Sequence, residues 1–292
     1  MKKQSYTAYK DDILKKLKCT ANELYKANGG GDIPQGLWRN GNPYDHILPI
    51  VAIGGESKDS IRRRAVEEYL HVKIETSYIE KVHPYVHHLN SSQLLCYMTF
   101  SPLLENGGKP KQELISLLAK LGITISDCAV CSFEYTDSDK DKNEWYWNEE
   151  KEPEGTSFDF HIKDSKNELF FEIKMTEQGF GRGDSKEGLA RHQKKFEQLY
   201  EAKLSDCKAL KKRPNCEQFL RYYQLFRNVL RSTSPEKTVI FIVDENNPST
   251  YEDIRQFKEE FLDECPNIRV VYWQEIKTLL NKRNRPFQFD CF

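Results

Sequence analysis

The sequence contains no long apolar segment. No hydrophobic run approaches the ~20 residues that a membrane-spanning helix needs, and the start MKKQSYTAYKDD lacks the apolar region of a signal peptide. Hydrophobic residues make up 38% of the 292 positions and charged residues 30%, and the mean hydropathy is -0.73. The composition therefore predicts a soluble cytoplasmic protein without a membrane partner.

The chain also lacks a large excess of either charge. Its net charge of -1 and pI of about 6.7 exclude a uniformly basic nucleic-acid-binding protein. The charges are segregated, because residues 137–154 are acidic and residues 191–231 are rich in Lys and Arg. A basic face could contact phosphate groups while the acidic stretch limits non-specific binding. Solvation alone is the better account of most of these individual charges.

The eight cysteines show little of the spacing that is typical of zinc sites. The pair Cys128 and Cys131 forms the only CxxC, and neither a second CxxC nor an HxxxH follows closely. Without secretion the thiols are expected to stay reduced and to serve as small structural residues. A zinc protein that uses this pair is kept as the weaker alternative.

Internal repeats, low-complexity blocks and obvious linkers are absent, so the division of the chain is simple. We expect a helical and loop extension over residues 1–58 and one domain over residues 59–292. Helical patterns are predicted over residues 10–27, 60–71, 92–102, 111–121, 184–204, 215–231 and 251–262; strands are predicted over 129–135, 238–243 and 268–273, in addition to a hairpin. This order predicts an α/β fold with a mixed β-sheet flanked by helices.

The hairpin occupies residues 156–177 and consists of two strands joined by a polar turn. Two sets of side chains alternate along each strand. In the first strand one set is Phe158, Phe160 and Ile162, and the other is Asp159 and His161. In the second strand one set is Leu169, Phe171, Ile173 and Met175, and the other is Phe170, Glu172 and Lys174. A tight turn centred between Ser165 and Lys166 pairs positions whose numbers sum to 331, which places Asp159 opposite Glu172.

Two opposed carboxylates about 5 Å apart at Cβ repel each other unless a cation or a proton lies between them. Mg²⁺ suits such a pair, since it binds one or two carboxylates together with waters and phosphate oxygens. Lys174, on the same strand face as Glu172, could hold the attacking water and offset charge on a scissile phosphate. The residues thus predict a metal-dependent phosphodiesterase, although exposed strand faces also carry such residues for solubility.

An Asp followed by ExK on the adjacent strand, with helices before it and a helix–strand region after it, resembles the PD-(D/E)xK nuclease superfamily. Further similarity lies in LNSSQLLCYMTFSPLL (residues 89–104), FFEIKMTEQGFG (170–181) and LRYYQLFRNVL (220–230). Together these segments resemble a bacterial group of restriction-endonuclease-like proteins. Two departures are Phe158 at the position of the name-giving proline, and Gln93 where many relatives have glutamate.

The resemblance implies a restriction-endonuclease-like core and a Mg²⁺-dependent DNA endonuclease, with Mn²⁺ as a substitute ion and a homodimer as a plausible active form. Asp159, Glu172 and the backbone carbonyl of Ile173 would hold the metal, and Lys174 would position water. The accessory candidates are Gln93 at the exposed start of its helix, Glu154 before the hairpin and Gln224 on the crossover helix. The alternative is an inactive nuclease-fold module that binds nucleic acid or a protein partner.

Overall fold

The computed structural model describes residues 4–75, 82–136, 157–181, 193–194, 196–280 and 285–291. The strands in these ranges are β1 (Gly36–Leu37), β2 (Pro43–Tyr44), β3 (Val130–Thr136), β4 (Ser157–Lys163), β5 (Glu168–Ile173), β6 (Lys237–Val243) and β7 (Ile268–Tyr272). The α-helices are α1 (Tyr6–Ala27), α2 (Lys58–Leu70), α3 (Ser92–Phe100), α4 (Gln112–Lys120), α5 (Glu201–Ser205), α6 (Cys216–Arg221), α7 (Tyr223–Val229), α8 (Pro248–Phe261) and α9 (Trp273–Leu279). None of them is long and apolar enough to cross a membrane.

Strands β3 to β7 form one mixed sheet in sequence order. Strands β3, β4 and β5 are antiparallel neighbours, whereas β5, β6 and β7 run parallel. Each parallel pair requires a crossover connection, and α6 and α7 lie in the first of these while α8 lies in the second. The α/β fold with a mixed sheet is therefore confirmed.

The hairpin register is also confirmed. Pairing runs from Lys163 opposite Glu168 to Phe160 opposite Phe171. The turn is fixed by Asp164, whose Oδ1 accepts hydrogen bonds from the backbone N–H groups of Lys166 and Asn167, each at 2.7 Å. This is the local pattern by which aspartate stabilises a turn.

The two faces of the sheet are covered by different apolar clusters. Leu169, Phe171 and Ile173 of β5 lie in the first cluster, which is completed by residues of α1 to α4 and α9. Phe170 lies in the second cluster, together with residues of α5 to α8. The alternation in the sequence of β5 thus reflects a strand that is covered on both sides.

One part of the predicted alternation is wrong. Phe158 was expected to share a face with Phe160, but Phe158 lies in the second cluster and Phe160 in the first. The pairing of β3 with β4 skips Glu134 and Asp159, and Glu134 has a φ of 52°. A left-handed residue of this type interrupts the pleat, which explains the change of face beside Asp159.

Two helices differ from their predicted form. Helix α2 begins at Lys58, two residues before the predicted start, because the Ser57 side chain caps it by accepting from the N–H of Ser60. The single crossover helix expected over residues 215–231 is divided into α6 and α7 at Tyr222, which has φ -117° and ψ 35°. Neither Gly nor Pro marks this break in the sequence. Instead Tyr222 is buried against α8, and its hydroxyl lies 3.1 Å from Gln256 Oε1.

The N-terminal helix starts earlier than predicted, at Tyr6, because the Ser5 side chain caps it. Its buried residues Tyr9, Ile13 and Leu17 belong to the first cluster, so α1 packs on the same core as the sheet. A helical N-terminal segment is thereby confirmed, while the division between residues 58 and 59 stays a prediction.

Candidate active site

Four elements bring the candidate residues together at one end of the hairpin. Strand β4 supplies Asp159, strand β5 and the residue after it supply Glu172 and Lys174, and α7 supplies Gln224. Strand β3 adds Glu134, which the sequence reading did not select. All five side chains line one open cavity of about 650 Å³.

Glu172 is the most firmly held of these residues. Only 3% of it is exposed. Its Oε1 lies 2.9 Å from Lys174 Nζ and accepts from Gln224 Nε2 at 2.7 Å, while its Oε2 accepts from Asn228 Nδ2 at 3.0 Å. Three donors around one buried carboxylate fix its orientation.

Asp159 is half-buried beside it, and its Oδ2 accepts from the backbone N–H of Ile173 at 2.6 Å. Burial raises the pKa of Asp159 well above its ordinary value, and repulsion from Glu172 and Glu134 raises it further. The like-charge conflict expected between Asp159 and Glu172 is therefore present in the structure, even though ladder pairing ends one step earlier at Phe160.

Glu134 brings a third carboxylate into this group. It would stand opposite Asp159 in the register of β3 and β4, where the ladder is interrupted. Burial raises the pKa of Glu134 to about 7, repulsion from Glu172 adds to the rise, and the side chain of Gln93 offsets part of it. Its left-handed backbone costs on the order of 1 kcal/mol, a type of strain that clusters at functional sites.

Lys174 remains positively charged in this environment. Burial alone would lower its pKa, but attraction to Glu172, Glu177 and Asp159 outweighs burial, and the pKa is raised. An ammonium group with a raised pKa cannot accept a proton near neutral pH. It can donate hydrogen bonds and neutralise anionic charge.

The segment that follows Lys174 is fixed by side chains from distant parts of the chain. The hydroxyl of Tyr9 in α1 donates to Asp244 Oδ2 at 2.5 Å and also lies 3.1 Å from the carbonyl oxygen of Met175. Asn247 donates to the carbonyls of Met175 and Glu177, each at 3.1 Å. These contacts hold the chain directly after Lys174 and so restrict where its ammonium group can lie.

The accessory candidates have different outcomes. Gln224 contacts Glu172 directly, as described. Gln93 lies in the same cavity, but it is 3% exposed and its Oε1 accepts from the N–H of His83 at 2.9 Å, so its expected exposed position is wrong. The helix start at Ser91 leaves the Gln93 side chain turned inward against the neighbouring loop. Glu154 lies outside the described residues.

The sequence analysis selected neither Asn228 nor Glu134 as a candidate site residue. Asn228 lies four residues after Gln224, and this spacing places two amides on one face of α7. The i,i+4 relation was therefore an available signal. The signal for Glu134 was weaker, because it consists only of one acidic residue in the apolar strand CSFEYT.

Metal-binding groups of zinc type are not found in the part of the chain that the structure describes. There, no three His, Cys, Asp or Glu side chains are arranged to hold an ion by themselves. Cys128 is exposed and Cys131 is buried, where burial raises the pKa of Cys131 to about 12. A buried thiol of this kind fits a structural role better than zinc binding.

A comparison with known families gives one match. The family model described as Restriction Endonuclease associating with ARP covers residues 19–288, more than nine-tenths of the chain. No curated protein and no solved structure matches the chain.

Proposed function

Since the chain belongs to the family of restriction endonucleases associating with ARP, we propose that it is a Mg²⁺-dependent endonuclease that hydrolyses DNA phosphodiester bonds. The family supports a nuclease-type function. The finer proposal, a site of PD-(D/E)xK type, is carried by one observation. Asp159, Glu172 and Lys174 line a single open cavity, directly beyond the hairpin ladder that ends at Phe160 and Phe171.

The donor set fits a hard divalent ion. Burial and the charges of Glu172 and Glu134 raise the pKa of Asp159, so a cation at this position would relieve the repulsion. Oxygen ligands from one or two carboxylates are sufficient for Mg²⁺, which keeps several waters and adds substrate phosphate oxygens. A set of three protein carboxylates is therefore not required.

The carbonyl of Ile173 suits the third ligand position. The N–H of Ile173 donates to Asp159, whereas the neighbouring N–H of Lys174 donates across to Ile242 of β6. In an extended strand the N–H and C=O groups of one residue point to the same side. The Ile173 carbonyl would therefore face Asp159, and these two residues with Glu172 would hold Mg²⁺.

When bound, Mg²⁺ would polarise the scissile phosphate and lower the pKa of a water molecule. The residues of the chain orient the reactants around it. Lys174, which keeps its proton, would donate to the attacking water and offset the negative charge that develops on the phosphate. Gln224 and Asn228 would keep Glu172 in position during this step.

Plasmid DNA provides the direct test. The wild type, Asp159→Ala and Lys174→Ala are each incubated with plasmid in Mg²⁺ or in EDTA, with Lys166→Ala as a matched control from the exposed turn of the same hairpin. We expect cleavage by the wild type and by the control in Mg²⁺ only, and a loss of at least about a hundredfold in the two site variants. Cleavage that persists in Asp159→Ala, or that EDTA leaves unchanged, would refute the assignment.

DNA binding measured in EDTA distinguishes the non-catalytic alternative. A binding module would retain DNA in EDTA and would also leave it uncut in Mg²⁺, and the two site substitutions would leave its affinity unchanged. An oligonucleotide carrying ribose in place of deoxyribose tests the substrate class, because discrimination against it supports DNA as the substrate.

A further inference from the structure

A second cavity lies at the opposite end of the sheet from Glu172. Its volume is about 600 Å³. Lys237, at the start of β6, lines it and pairs with Glu168, at the start of β5. Glu172 lies four residues further along β5, or roughly 13 Å at the rise of a strand. The second cavity is thus separate from the candidate active site.

The described lining of this cavity combines apolar walls with a predominance of cationic groups. Tyr200, Leu230 and Pro235 contribute apolar surface. The charged residues are Lys203, Lys208, Arg227, Arg231 and Lys237, with one carboxylate, Asp206. This combination is suited to a ligand with a flat apolar part and an anionic group, since apolar walls provide contact area and the polar groups fix orientation.

Hydroxyl groups lie at the same wall. Residues 232–234 read Ser-Thr-Ser and lie shortly after the end of α7. The Ser232 hydroxyl donates to the Val229 carbonyl, whereas Thr233 is exposed at this edge. Such groups can pair with sugar hydroxyls or with phosphate oxygens. The volume lies in the range of small-molecule sites, about 300–1,000 Å³, and is too small for a duplex.

We propose that this cavity binds a nucleoside phosphate. The base would lie against the apolar wall near Leu230, and the phosphate would lie beside Lys208. Lys237 borders this position, with its ammonium group 3.4 Å from Glu168 Oε2. Helix α7 borders both sites, since Arg227 lines this cavity while Gln224 and Asn228 of the same helix donate to Glu172. A bound nucleotide would therefore restrain the helix that holds Glu172.

Calorimetric titration of the full chain in EDTA tests the binding, with the 5′-monophosphates of adenosine, guanosine, cytidine and uridine, and with inorganic phosphate. At least one nucleotide is expected to bind with Kd below about 1 mM, and phosphate alone more weakly. Lys208→Glu and Thr233→Trp should each weaken binding by about tenfold or more, because one reverses a charge and the other fills the cavity edge. Lys15→Glu, an exposed charge reversal on α1, should not.

Hydrogen exchange locates the ligand independently of cleavage. The amides of residues 223–234 should exchange more slowly with nucleotide, and Asp159→Ala should bind it like the wild type, even if the chain does not cut DNA. Three outcomes would overturn the proposal: no nucleotide binds, both cavity variants bind normally, or binding is lost in Asp159→Ala. The last would place the nucleotide at the carboxylate site.

Discussion

Replacing Glu134 with glutamine should stabilise the protein, and by an amount that depends on pH. The carboxylate of Glu134 is raised from an ordinary pKa of 4.5 to about 7, by burial and then by repulsion from Glu172. At about 1.4 kcal/mol for each pKa unit, this rise corresponds to about 3 kcal/mol of unfavourable free energy once the group ionises. Glutamine keeps the shape of the side chain without the charge.

The direction of this pH dependence follows from the number of protons that the folded and unfolded chains bind. Between pH 4.5 and about 7 the folded protein holds a proton on Glu134 that the unfolded chain releases. The contribution of this group to stability is therefore fully present below pH 4.5 and is lost as the pH rises to about 7. Above that pH the wild type is destabilised by the full unfavourable free energy of the buried charge, whereas Glu134→Gln has no such charge.

Thermal unfolding in EDTA at pH 4 and pH 8 measures this difference. We expect equal melting temperatures at pH 4, and at pH 8 a Tm about 6–12 °C higher for Glu134→Gln, given about 3 kcal/mol and roughly 2–4 °C per kcal/mol for a large domain. Glu113→Gln, which changes an exposed glutamate of α4, serves as the control and should change neither value. An equal offset at both pH values would show that charge repulsion at Glu134 is not the cause.

Three further outcomes are expected. Asn228→Leu should lower the cleavage rate by about ten- to a hundredfold with the fold retained by circular dichroism, because Glu172 loses one of its donors. Tyr9→Phe should lower the free energy of unfolding in urea by about 1.5–3 kcal/mol, because the buried Asp244 carboxylate loses a hydrogen-bond donor. Burial lowers the pKa of His88 to about 3. The free energy of unfolding should therefore fall as the pH drops below about 6.5, where the unfolded chain gains a proton that the folded chain does not bind. Denaturant titrations at several pH values should show a shallower fall for His88→Gln.

Much of the fold was predictable because its signals are local. The alternation in β5 and the turn at Asp164 determine the hairpin, and the apolar run of β6 indicates a strand covered on both faces. With the family match, the predicted restriction-endonuclease-like α/β fold is confirmed. Caps were less certain, because neighbouring polar residues such as Ser57 and Asp59 compete for one role.

The features that the sequence did not predict depend on contacts between distant segments. The break at Tyr222 arises from burial against α8, and no local helix breaker marks it. The left-handed backbone of Glu134 interrupts the pleat where Phe158 changes face, and no Gly or Asn marks this position in the sequence. Gln93 was expected to be exposed, because the helical pattern did not indicate that the loop at His83 folds back onto the start of α3.

The contact between Tyr9 and Asp244 determines how much of the chain must be synthesised before this part of the protein can fold. Its two residues are 235 positions apart, so the contact requires nearly the whole chain. Glu172 likewise acquires its amide donors only after α7 has been synthesised. A growing chain that has not yet reached α7 would therefore carry the acidic residues of the cavity without the amide donors that hold Glu172 in place.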